Sequence, residues 1–587
     1  MKTSILPWKK TLLVTSILLM TGCGSDGDNG KDGADGSNGN NGLNGAGQVV
    51  TLSRIGSTES RGFGVSAAEI VAYDDEGQRV FTVNAQSGKV DIFSVSDASS
   101  PAFMDSLDLR AILVSAGKVS STDQVGAANS IAVQGDLVAV AVEAKPKTDA
   151  GWVTFIKASD LSFVAAVQVG ALPDMVTFTP DGTKVVVAIE GEPEDYTVDP
   201  EGRVDIINTS DFSLRTASFS DFNAGGSRSE ELPADVRIYG RIVDANGELI
   251  RPSTVAEDLE PEYVAVSEDS STAYVSLQEN NAIAVIDLNT ARVSRIYALG
   301  FKNHSLPGNE LDASDKDGAV NIRNWPVFGM YQPDSIATYR VNGVNYVVTA
   351  NEGDSRADWG IAQVDGDEDS AGDPLNLNME EFRVKDLTLD PEAFPDAAVL
   401  QQKENLGRLK VTSQLGDIDG DGDYDALYAN GGRSFSIWNG DTGEQVFDSG
   451  SEFERITALK YGVEFNNGHD EVDPDGRSDA KGPEPEALAL GKVNGHTYAF
   501  IGLERMGGIF VYDISNPYAP VYVQYTNHRD LTLDPEVYHA EAGDLGPEGF
   551  KFVDAAKSPT GKPLLIVGNE VSGNTSLYEL NTTLLQQ

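Results

Sequence analysis

The clearest set of ligand-type side chains in the sequence is GDIDGDGDYD, residues 416–425. Asp417, Asp419, Asp421 and Asp425 fall at positions 1, 3, 5 and 9 of a cation-binding loop, with Gly422 at the turn. Asp423, at position 7, is placed to offer its backbone carbonyl. Hard oxygen donors at alternate positions wrap a Ca²⁺ ion, whereas Mg²⁺ resists exchanging its waters for an all-protein cage. Position 12 is Tyr428 rather than a bidentate Glu, so the loop is not a complete EF-hand. The plain alternative is a polar Asp–Gly turn; the spacing favours calcium. A second acidic stretch, HDEVDPDGRSDAKGPEPE at 469–486, offers Asp473, Asp475 and Asp479, and a solvated loop explains these at least as well. The five histidines show no metal-ligand spacing, and the chain has no nucleophile elbow, phosphate loop or dinucleotide fingerprint.

Other polar residues recur in step with a strand pattern. Residues 333–356, PDSIATYRVNGVNYVVTANEGDSR, read as two alternating apolar strands joined at Asn342-Gly343, a hairpin turn dipeptide. Asp334 stands before the first strand; Asn351 and Glu352 follow the second. A hairpin returns its chain to where it began, so these ends share one edge. Seven more segments repeat the plan, at 69–84, 129–143, 174–190, 262–278, 417–430, 486–504 and 548–569. Third strands such as VDIF, IAVI, FSIW and IFVY usually follow. Short strands in units of about 45–90 residues predict an all-β fold, a β-propeller of seven to eight blades, with eight units countable. The strand VVTLSRI at 49–55 has no partner in its own unit, and is expected to close the ring beside residues 575–580.

Radial packing of these hairpins would gather their ends. The exit residues are Asn84, Glu143, Glu190, Gln278, Asn351, Asn430, Glu504 and Asn569; the entry residues include Glu69, Asp174, Glu262, Asp334, Glu486 and Glu548. A crowd of carboxylates must bind cations, pair with Arg or take up protons. Arg356, Arg433 and Arg505 follow closely behind three of them. Each residue taken singly is as well explained as a hairpin cap; the ring as a whole favours a binding function. The insertions between units are polar and belong to the faces of the propeller. Two of them contain DLTLDPE, at 386–392 and 530–536, an echo to which the sequence assigns no role.

The formal charge of −48 in 587 residues argues against nucleic acid as a partner and points to cations or a saline exterior, with a solvated acidic surface the plain alternative. Residues 1–22 read as a signal peptide: Lys2, Lys9 and Lys10, an apolar run, then Thr21-Gly22 before Cys23. LMTGC resembles a lipoprotein box, and Cys23, the chain's one cysteine, is expected to carry lipid and to anchor the protein in the outer membrane. Residues 23–47 place glycine at every third position without proline, the pattern of a flexible tether rather than a collagen helix. Residues 48–587 are then the propeller, expected to act as a monomer.

SAAEIVAYD, ANEGDSR, GDIDGDGDYDALYANGGRSFSIW, RSDAKGPEPEALALG and FIGLERMGGIFVYDI together resemble the choice-of-anchor I family, from about residue 49 onward. The resemblance implies a surface-anchored propeller whose anchor varies between members. It carries no agreed catalytic residues and strengthens the calcium reading of 417–425. Two functions follow as expectations. One is a calcium-binding scaffold for a small-molecule, phosphate-containing or mineral ligand. The other is a calcium-dependent phosphoesterase, with ring carboxylates holding Ca²⁺ and Arg356, Arg433 and Arg505 gripping phosphate.

Overall fold

A computed structural model describes residues 48–85, 87–194, 196–356 and 380–584. The signal peptide, Cys23 and the whole glycine-rich stretch 23–47 lie outside these. The described chain builds seven four-stranded sheets. Their inner strands are Val71–Asp74, Val125–Gln134, Pro173–Phe178, Pro261–Val266, Ile336–Val341, Pro485–Val493 and Pro547–Val553. Each packs against the next in that order and the last packs against the first, so the ring is closed. The fold is an all-β propeller.

Alternation explains the packing. Strands buried on both faces need apolar residues on each, and the second strand of the third sheet, Lys184–Ile189, is KVVVAI. Val186 and Ala188 face the fourth sheet, where they meet Val264, Val275 and Ala284. Val185 and Val187 face the second sheet, against Ala139, Ala141 and Phe155. Each such valine contributes about 1.5–3 kcal/mol on burial.

The N-terminal strand Gln48–Ser57 lies beside Asn574–Leu584, completing a sheet with Leu564–Asn569 and Pro547–Val553. Val50 and Leu52 are buried there. Beyond the strand, the N–H groups of Thr58, Arg61 and Gly64 donate to the carbonyls of Thr575, Gly573 and Val571. The edges of the propeller are thus joined by main-chain bonds rather than left open.

The unit at 417–430 departs from expectation. Its only strand, Tyr428–Ala429, pairs in parallel with Phe328–Met330, outside the seven sheets. The FSIW strand that follows, Ser434–Asn439, is the third strand of the fifth sheet and pairs with Val344–Asn351. The described residues 352–356 and 380–433 therefore belong to an excursion between two strands of one blade. ALYA at 426–429 imitates a blade strand because Leu427 and Ala429 are indeed buried, but in a separate core with Leu311, Trp325, Val384 and Leu406. The first DLTLDPE copy serves this excursion: Leu389 bridges Tyr424, and the Asp390 N–H donates to the Tyr424 carbonyl.

Candidate functional site

Four inner strands start with Pro followed by an acid: Pro173-Asp174, Pro261-Glu262, Pro485-Glu486 and Pro547-Glu548. In all four the ladder skips in the same way. Pro485 faces Leu503 and Leu488 faces Ile501, so two residues oppose one, and the other three repeat this register. Pro has no N–H to give the ladder, and a bulge re-aims the residue it contains. The acid after each Pro is thereby turned into the centre of the ring.

There they line a cavity of about 410 Å³ with Asp334, Glu190, Gln278, Glu352, Asp354, Glu504, Lys481 and Arg505. Carboxylate oxygens approach one another within 4.8 Å in overlapping trios: Asp334, Glu352 and Glu486; Glu352, Glu484 and Glu504; Glu69, Glu548 and Glu570. His469 links two of them, lying within the same distance of Glu504 and Glu570. The result is an arc across one side of the ring.

Positive charge reaches only part of this arc. Lys481 Nζ lies 2.5 Å from Glu352 Oε1 and 3.5 Å from both Asp354 and Glu484. Arg477 and Arg505 approach Glu484 at 2.6 and 3.4 Å, and Arg505 pairs with Glu504 at 2.9 Å. Against its burial, these cations hold Glu484 down at about 2. Among the described residues, Glu69, Asp174, Glu190, Glu262, Asp334, Glu486, Glu548 and Glu570 have no ion pair. One oxygen each of Glu262, Glu486 and Glu548 is shut off from solvent with no hydrogen-bond partner. Burial, then the charge of neighbouring carboxylates, raises this group. Glu69 is pushed up to about 8 by burial and Glu570, and Asp174 to about 7 by burial and Glu192. Glu486 and Glu548 rise well above the usual range from the same causes, with Glu504 and Glu69 their foremost neighbours. Glu352 reaches about 8 through burial, even with Lys481 beside it. Such a set is stable when it holds protons or when it holds a cation.

A second acidic geometry forms at 417–425. Asp417 accepts from the N–H groups of Gly420, Asp421 and Gly422, and Asp425 accepts from Ile418. The loop is exposed, and Asp421 acts first among the neighbours that raise Asp419. Asp390 brings a carboxylate oxygen within 4.8 Å of those of Asp423 and Asp425.

A family model described as the Choice-of-anchor I domain matches residues 69–517. The chain belongs to the choice-of-anchor I family. Gigasin-3a of Magallana gigas is 34% identical over 190 residues, 31% of this chain and 66% of that protein. The mesenchyme-specific cell surface glycoprotein of Strongylocentrotus purpuratus is 29% identical over 340 residues, 54% of this chain and 42% of that one. The matched stretches thus span less than two thirds of either relative. Among solved structures, the WD40 domain of Toxoplasma gondii coronin overlays with TM-score 0.41 at 8% identity, covering 92% of this chain and 87% of that one. Kuenenia stuttgartiensis hydrazine synthase does so with TM-score 0.40 at 12% identity, covering 88% and 96%.

In this choice-of-anchor I protein the residues singled out by sequence divide into two groups. Glu190, Glu352, Glu486, Glu504, Arg505 and Glu548 line the ring cavity. Asn351, Arg356, Arg433 and Glu143 do not. Asn351 is fully buried and its amide donates to Ser434 Oγ and Ser436 Oγ, fastening the third strand of its sheet. Arg356 is drawn under the adjoining loops by Asp258 and Glu260 and lies over the Tyr239 ring. Arg433 is buried, bonding Glu454 and the carbonyls of Asp312, Ser478 and Ala480. Glu143 accepts from the Ala127 N–H. Asp479, which the sequence offers with Asp473 and Asp475, pairs with Arg383 and Arg408. Sequence reasoning missed Lys481, Glu484, His469 and Glu570. For Glu570 a signal existed: it follows Asn569 as Glu352 follows Asn351.

Proposed function

We propose that this protein is a surface-associated binding module that holds calcium in the carboxylate arc at the centre of its propeller, and through that ion takes an anionic, phosphate-type or mineral ligand. The supporting observation is the shielded, partnerless oxygens of Glu262, Glu486 and Glu548 beside the carboxylate trios, where the Glu69, Glu548 and Glu570 set has no ion pair and the Asp334, Glu352 and Glu486 set has one, Lys481 to Glu352. An all-oxygen set suits Ca²⁺ better than softer metals, which select His and Cys. The loop at 417–425, with Asp390 beside it, is a second calcium site. Surface association draws on the name of the sea-urchin relative and on the anchor expected at Cys23, a lipid holding the chain to the outer membrane. Among the described residues no helix is long and apolar enough to cross a membrane. Binding is favoured over phosphoester hydrolysis because Arg356 and Arg433, the expected phosphate grips, are fully engaged in buried ion pairs and carbonyl bonds. Calorimetric titration with CaCl₂ at neutral pH tests the reading. Glu486→Gln and Glu548→Gln should each weaken the ring site at least tenfold and leave the loop site intact; unchanged isotherms would refute it.

A further inference from the structure

A separate set of oxygens lies between the loops 311–322 and 465–482, and none of its residues lines the ring cavity. Asp312 is 1% exposed and Asp475 9%. Asp312 accepts from the backbone N–H groups of Ser314 and Asn321, and Asp475 accepts from Ser478 Oγ. Asp317 accepts from the Ala319 N–H through Oδ1, while its Oδ2 is shut off from solvent without a partner.

Asn466, 0% exposed, belongs to the second loop and is linked to the first through Glu454. Its Nδ2 donates to Ser478 Oγ at 2.9 Å and to Glu454 Oε1 at 3.1 Å. Ser478 in turn bonds Asp475 at 2.6 Å, and Glu454 accepts from the Asp312 N–H at 3.0 Å. The amide is thereby held between Asp475 and Asp312, yet its Oδ1 has no hydrogen bond. A buried carbonyl oxygen without a donor is costly unless something positive meets it. Arg433, which shares Glu454 Oε1 with the Asn466 amide, is fully engaged by Glu454 and three carbonyls. Among the described residues Asp312, Asp317 and Asp475 have no ion pair. Burial raises Asp475 to about 8, with Asp312 and Asp317 adding to it, and raises Asp312 to about 7, with Glu454 and Asp317 adding.

We propose that Asp312, Asp317, Asp475 and the Oδ1 of Asn466 bind one calcium ion that ties the loop 311–322 to the loop 465–482. The donors are all hard oxygens from carboxylate and amide groups, the chemistry Ca²⁺ takes. The second loop carries Lys481 and runs into Glu484 and Glu486, so this ion steadies one wall of the ring. The site shares no ligand with the ring or with 417–425, and its test is independent of theirs.

The test counts metal. The purified whole protein is dialysed against micromolar free Ca²⁺ and its calcium measured by mass spectrometry. Asp317→Asn and Asp475→Asn should each hold one ion fewer per chain than the parent, and Asp419→Ala and Glu486→Gln should keep that ion. Trp325 packs in one apolar cluster with Leu311 and Ala313, the neighbours of Asp312. Tyr424 of the 417–425 loop packs against the same cluster, so the readout uses the Asp419→Ala background: terbium should there emit on tryptophan excitation, and adding Asp317→Asn should abolish that emission. Asn at 317 keeps the acceptor for Ala319, so this variant decides the matter if Asp475→Asn fails to fold. Parental calcium content and terbium emission in Asp317→Asn would overturn the proposal, leaving three protonated acids in its place.

Discussion

With calcium removed, the protein should lose stability as pH rises from about 5.5 to 7.5, the reverse of ordinary acid denaturation. Glu69 and Glu352 sit at about 8 in the folded ring against 4.5 when unfolded. Between those values the folded state holds protons that the unfolded state has released. Stability then falls with pH, by about 1.4 kcal/mol per pH unit for each retained proton. Two retained protons give a slope near −2.7 kcal/mol per unit, or roughly 5 kcal/mol across the window, a large share of a typical domain's stability. Glu484 acts in the opposite sense, since its depressed value stabilises above about 4.5 and is lost only on going lower; it adds no slope in this window. Millimolar Ca²⁺ replaces the protons with a cation and should flatten the dependence. Urea unfolding at four pH values, in EGTA and in CaCl₂, measures both slopes. A flat line in EGTA, or equal slopes in the two buffers, would refute the picture of an uncompensated carboxylate arc.

Deleting residues 48–57 should cost about 3–6 kcal/mol through lost burial of Val50 and Leu52 alone, read as a lower midpoint in urea. Arg356→Ala should cost about 3–5 kcal/mol by stranding Asp258 and Glu260, with no loss of calcium affinity at the ring. Asp419→Ala should remove the loop site; at free Ca²⁺ one hundred times Kd, the parent gains about 2.7 kcal/mol from that site and the variant nothing. Cys23→Ser should move the protein from the membrane fraction to the soluble fraction, and unchanged fractionation would refute lipid attachment.

The propeller was legible because period-2 alternation and hairpin turns are local signals, and the closing strand because 49–55 lacked a neighbour of its own. Of the eight units countable for seven to eight blades, the one at 417–430 lies outside the seven four-stranded sheets; its Leu427 and Ala429 are buried in a separate core, which only long-range pairing with Phe328–Met330 reveals. In the ring, the Pro-acid pairs were visible as spacing, but the bulge that re-aims each acid depends on the register of its partner strand. Charge near a carboxylate does not reveal what it points at: Arg356 and Arg433 follow ring residues in sequence yet turn beneath neighbouring loops. The proposed ligand Asp390 left no signal, because it meets Asp423 and Asp425 across more than thirty residues, and Asn466 left none because a lone buried amide does not show in sequence which oxygen lacks a donor.

The most direct measurement is X-ray diffraction from crystals grown in CaCl₂, with anomalous data collected at long wavelength. An anomalous peak bounded by the carboxylates of Asp334, Glu352 and Glu486 is the result expected here. Peaks confined to the loop at 417–425, with only water inside the ring, would contradict it.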